Sequence, residues 1–125
     1  MDFGKIINLA DEGIWVNLEH PVTGETLDVA LKLVGSDSAK YRERQREMQD
    51  KRLSKGKFKL SAAELETEAV GLIAACVVDW KNVVVDDKPL ACTDANVRKI
   101  IKEQKWVREQ IDVAIADRAN FIKGY

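Results

Sequence analysis

The side chains able to do chemistry are few and badly placed for it. His20 is the only histidine, and it precedes Pro21 in a loop, so a triad or an imidazole general base has no partner near it in sequence. It reads as a solvated loop-tip histidine. Asp86 and Asp87 stand together beside Lys88, without the multi-oxygen loop that calcium requires, and read as turn residues. Cys76 and Cys92, the only cysteines, show neither C-x-x-C nor Cys/His spacing, so no disulfide framework and no zinc site is indicated. The glycines match neither a Walker loop nor G-x-G-x-x-G, so no phosphate cradle is visible. The expectation is a non-enzyme with no cofactor and no metal, acting without a small-molecule substrate.

The elements that carry these residues suggest α+β architecture, an N-terminal β-hairpin packed on a mainly α-helical bundle of about four helices. The chain of 125 residues fits one domain, spanning 1–125, with 46% hydrophobic and 33% charged residues. No apolar run approaches the roughly 18–20 residues that span a bilayer, and Met1-Asp2-Phe3-Gly4-Lys5 lacks a signal-peptide layout, so the expected location is cytoplasmic. Residues 1–12 form a lead-in without a clear period. Alternation of Ile14, Val16 and Leu18, then of Leu27, Val29, Leu31 and Leu33, across His20-Pro21-Val22-Thr23-Gly24-Glu25, predicts a hairpin over 14–34. Such a hairpin needs the helices that follow to cover its apolar face.

Gly35-Ser36-Asp37-Ser38 offers caps for a charged helix over 38–54, whose thin apolar content (Tyr41, Met48, Leu53) allows it to project from the body, followed by a flexible connection over 54–57. Ser61-x-x-Glu64 is a capping box before Leu65, Ala69, Leu72, Ile73, Cys76, Val77 and Trp80, which predicts a buried central helix over 61–80. Val83-Val84-Val85 should be extended and lead into a turn before Pro89. A helix pair closes the chain over 93–123, the first capped by Thr93 and carrying Val97, Ile100 and Ile101. The second runs to Lys123 with Val107, Ile111, Ile115, Ala119 and Ile122 on one side.

Charge is segregated behind a formal net of −1. Lys40 to Lys59 holds nine basic and three acidic residues, a net of +6, while the remainder, with eleven basic and eighteen acidic, carries −7. Glu43 and Glu47 can pair with Arg44, Arg46 and Lys51 at helical spacing, and few aromatics interleave the segment. It ranks first as a solvated helix, then as a docking surface for an acidic protein, and last as a nucleic-acid site. Basic helix over acidic remainder also suits self-association. Among the tryptophans, Trp80 is expected inside, Trp15 faces away from Ile14, Val16 and Leu18, and Trp106 is open to either role.

Pro21-Val22-Thr23-Gly24-Glu25 with Gly35-Ser36-Asp37-Ser38, then Val78-Asp79-Trp80-Lys81-Asn82-Val83, Lys88-Pro89-Leu90, Thr93-Asp94-Ala95-Asn96, Trp106 and Ile115 to Phe121, form a layout from about Ile14 onward. It resembles the tail assembly chaperones and related small tail proteins of long-tailed bacteriophages and prophages. The resemblance implies a non-enzymatic protein of the bacterial host cytoplasm that holds the tape-measure protein and helps recruit tail-tube subunits. In many members a frameshift near the end of the frame yields a longer product, with which a stop at Gly124-Tyr125 is compatible. It transfers a role and no residue assignments. Other roles in view are a minor tail or tail-completion protein and a nucleic-acid-binding regulator using residues 40–59. Candidate partner-binding residues are Trp15, Arg42, Arg46, Trp106, Ile111 and Phe121.

Overall fold

A computed structural model describes residues 1–56 and 59–124. Lys57 and Phe58, with the end of the expected 54–57 connection, and Tyr125 lie outside the described residues. The chain is α+β. The described elements run β1 (Ile7–Asn8), β2 (Ile14–Glu19), β3 (Thr26–Leu33), α1 (Ala39–Ser54), α2 (Ala62–Cys76), β4 (Val77–Lys81), β5 (Val84–Val85), β6 (Lys88–Pro89), α3 (Asp94–Glu103), α4 (Lys105–Ala116) and β7 (Ile122–Lys123), with 3-10 turns at Phe3–Lys5 and Arg118–Asn120.

The hairpin forms as its alternation predicts, but it belongs to a three-stranded antiparallel sheet of order β2-β3-β4. Leu18, Leu31 and Leu33 turn inward against Val70, Ile73, Val97, Ile101, Val107 and Ile111, so the core lies between one sheet face and the helices. On the other face Trp15 stands opposite Lys32, and Lys81 sets its ammonium 4.1 Å from the Trp15 ring centre. His20 does more than point into solvent. Its Nδ1 accepts from the amides of Val22 and Thr23 at 3.1 and 3.2 Å and so shapes the loop between β2 and β3.

The expected helix over 61–80 is shorter than its pattern suggests. The capping box is in place, with Ser61 Oγ accepting from Glu64 N and Glu64 Oε1 accepting from Ser61 N, but the helix ends at Cys76 and the chain enters β4. The register explains the misreading. Trp80 pairs with Leu31 and Val77 with Leu33, and the pairing shifts between Lys32 and Leu33. One extra residue on β4 thus brings Val77 and Trp80, three apart, to the same face of a strand, a spacing that otherwise signals a helix. The β-branched pair Val77-Val78 favours the strand.

Two more boundaries are corrected. The last helix stops at Ala116 instead of reaching Lys123, because Asp117 turns its carboxylate onto the amide of Ala119 at 3.0 Å and opens a 3-10 turn. Ala119 is exposed there, and Ile122–Lys123 pairs antiparallel with Ile7–Asn8, giving the lead-in a strand that its sequence does not announce. Nor does α1 project. No residue of it is buried, yet Arg44 donates to the Gly71 carbonyl at 3.2 Å and Arg52 forks onto Glu68, binding the helix to α2 by polar clasps. Its start is held twice, by Ser38 Oγ on Tyr41 N and by Asp11 on Ala39 N at 2.7 Å.

Arg118 reaches from the second 3-10 turn to Asp37, donating from Nε and Nη2 at 2.6 and 3.0 Å. That hydrogen-bonded guanidinium holds the Asp37 carboxyl below the usual carboxylate range. With the folded value below the unfolded one, the pair stabilises fully at neutral pH, and the contribution is lost as the pH falls through the lowered value. Asp37→Asn should therefore melt below wild type at pH 7, and the gap should begin to narrow below about pH 4 and close only once the pH is under the lowered Asp37 value. A gap that persists in acid would show that Asp37 acts without its charge.

Candidate partner-binding cleft

The inward sheet face is only partly roofed by helices. Beyond β4 the chain turns through Asn82, with φ of +63°, into the β5-β6 hairpin, whose two-residue loop Asp86-Asp87 has φ of +50° and +63°. This is the geometry of a type I′ turn, which asparagine, aspartate and glycine tolerate. Asp86 and Asp87 are the loop of that hairpin. Leu90 N donates to Val83 O at 2.9 Å and Trp80 Nε1 donates to Leu90 O at 2.7 Å, pinning the base of the hairpin to β4.

Between this hairpin, the sheet and the α3-α4 junction lies a cleft of about 500 Å³. Leu18, Leu31 and Val77 form its sheet side, Val97, Ile101 and Ile111 its helical side, and Trp80, Trp106 and Val83–Val85 its flanks. The lining is apolar except for Asn82, Glu103 and Gln104. Trp106 Nε1 donates to Gln104 Oε1 at 3.0 Å, so both indole N–H groups are satisfied within the protein and the ring surfaces are left for apolar contact. The helices break here because Gln104 leaves helical geometry at φ −116° and ψ 83°, which brings Trp106 to the cleft.

A second hollow of about 490 Å³ between α1 and α2 has the opposite character. Arg44, Lys51, Arg52, Lys55 and Arg98 line it with Glu47, Glu64 and Glu68. Much of this charge is consumed internally, Arg52 on Glu68, Arg44 on Glu47 and Asp94, and Arg98 on Asp94. The expected helical pairing survives as Arg44–Glu47 at 3.5 Å, while Arg46 and Lys51 form no ion pair among the described residues.

Of the six residues singled out from sequence, the structure brings Trp106 and Ile111 together in the apolar cleft. Ile111 is only 2% exposed, so it serves as core and cleft wall instead of a protruding contact. Phe121, also 2% exposed, lies elsewhere, its ring over the bare Cα of Gly35, and is corrected from partner contact to core. Arg42 and Arg46 are exposed on α1, and Trp15, 40% exposed, is on the opposite face of the sheet under Lys81. Sequence reasoning missed Trp80, Val83–Val85, Glu103 and Gln104 as cleft residues. The run of three valines before a turn was the available signal, since a short extended stretch so apolar needs a surface to cover or to offer.

The thiols are not poised for chemistry. Cys76 is fully buried, and burial pushes its thiol up to about 12; burial also raises half-buried Cys92, with the Asp79 charge adding to it. At pH 8 a thiol-labelling reagent should modify Cys92 slowly and Cys76 only after denaturation. Prompt labelling of both in the folded protein would contradict this packing.

No helix among the described residues is long and apolar enough to cross a membrane. Comparison with protein families, with curated proteins and with solved structures finds no match to this chain.

Proposed function

We propose that this protein works by gripping another polypeptide, as a tail assembly chaperone of a long-tailed phage or prophage. Its client is the helical tape-measure protein, held in the host cytoplasm while tail-tube subunits are recruited. The observation that carries the reading is the apolar cleft flanked by Trp80 and Trp106. Such a cleft suits one face of an amphipathic helix, whose anchors at i, i+3 or i+4, and i+7 enter it side by side. Its volume is that of a drug-sized site, room for a few anchor side chains and not for a whole helix. The layout of the chain, with its resemblance to small tail proteins, supplies the identity of the client.

Trp106 is half-buried and satisfied by its neighbour Gln104, so its ring is the cleft's largest removable apolar contact that does not pin the hairpin. Trp106→Ala should weaken co-purification with the tape-measure protein by about tenfold or more, the scale of an aromatic hot spot, with an unchanged circular dichroism spectrum. Equal recovery of the client would count against the reading.

A further inference from the structure

One charged residue of the cleft is tied into no ion pair among the described residues. Glu103 ends α3, whose closing carbonyls disfavour a carboxylate, and stands one residue before the N-cap of α4, whose amide end favours one, so the two helix ends offset each other there. Lys99, Lys102 and Lys105 are near it in sequence, yet no cation among the described residues comes within ion-pair distance of its carboxylate. It is the only charged side chain lining the cleft among the described residues. Its polar neighbours there add acceptors: Gln104 Oε1 takes only the Trp106 indole, and Asn82 spends its Nδ2 on the Asp28 carbonyl at 2.9 Å, which leaves its Oδ1. The cleft thus offers a carboxylate and two amide oxygens, beside the neutral amide N–H donors of Gln104, with no positive side chain in its described lining.

We infer that the cleft selects apolar helical segments carrying a lysine or arginine beside the apolar face, and that Glu103 reads that charge. This rests on the cleft being the polypeptide-binding site proposed above. A guanidinium or ammonium on the occupant supplies the cationic donor that the described lining lacks, and a charge-assisted hydrogen bond at a partly desolvated rim corresponds to about tenfold or more in affinity. An acidic flank meets a like charge and is rejected.

The test uses two labelled synthetic peptides with the same three leucine anchors at helical spacing, one flanked by arginines and one by glutamates, titrated into the full chain by fluorescence anisotropy. The arginine peptide should bind at least about tenfold tighter, and in Glu103→Gln, which should fold as wild type because the side chain is exposed, the ratio should fall below about threefold. Equal binding of both peptides, with both lost in Trp106→Ala, overturns the role of Glu103 and leaves the cleft reading intact. Discrimination that persists in Glu103→Gln also overturns it, because the charge is then read elsewhere. Binding of neither peptide, whether a second copy of the chain covers the cleft or it grips no helix at all, overturns both.

Discussion

Phe121→Ala should lower the unfolding free energy by about 3–5 kcal/mol, the range for deleting a buried aromatic ring, and should do so without touching the apolar cleft. The ring is 2% exposed and sits against the end of β3, where a Cβ added to Gly35 would stand 3.3 Å from two of its carbons and 3.2 Å from Ala10 Cβ. The Phe121 carbonyl accepts from Leu9 N at 2.7 Å, next to the short β1-β7 pairing. One residue therefore fastens both ends of the chain to the sheet. Urea denaturation measures the loss, and faster exchange of the Leu9 amide should accompany it. If the variant kept its stability and lost its client instead, Phe121 would be a contact residue and its place in the core would be wrong.

Gly13→Ala should cost about 3 kcal/mol, through backbone strain and a clash that no rotamer relieves. Gly13 has φ of +85°, and a Cβ there would lie 2.8 Å from the carbonyl oxygen of Leu33. Leu33 is 1% exposed at the centre of the core, so its backbone cannot yield without moving β3. Gly24 supplies the control. It has φ of +74°, and a Cβ added to it would meet nothing within 4 Å, so Gly24→Ala should show the conformational cost alone, about 1 kcal/mol. Equal losses at the two positions would mean that the approach of Gly13 to Leu33 contributes nothing.

Much of the architecture was legible because local chemistry and tertiary demand agree. Alternation predicts the hairpin, and the Ser61, Ser38 and Thr93 caps mark helix starts that occur where expected. The failures share a cause, which is spacing that two structures can both satisfy. Val77 and Trp80 keep a helical interval on a bulged strand, and Ile115, Ala119 and Ile122 keep one across a helix end, a 3-10 turn and a strand. Only the unmet edge of β3, and the lead-in awaiting a partner strand, decide those cases, and neither is a local property.

The cleft was less legible for the same reason. It is assembled from β2, β3, β4, the β5-β6 hairpin and the α3-α4 break, elements spread from Leu18 to Ile111. Trp106 is recognisable as a candidate from its type, while a helical reading of residues 61–80 carries Trp80 into the interior and away from any cleft. The charge segregation of residues 40–59 points to α1, but Arg44 and Arg52 are turned onto α2 and serve to hold it. A charge run counted along a sequence does not say which of its members face solvent.

The most direct test is chemical-shift mapping of the isotope-labelled protein titrated with an amphipathic helical segment of a tape-measure protein. The cleft account predicts that the Trp80 and Trp106 indole signals and the methyls of Val97, Ile101 and Val107 move together on binding, while the Trp15 indole, on the far face of the sheet, stays still. Shifts confined to Trp15 and the outer face of α1, with the cleft signals unmoved by saturating peptide, would contradict it.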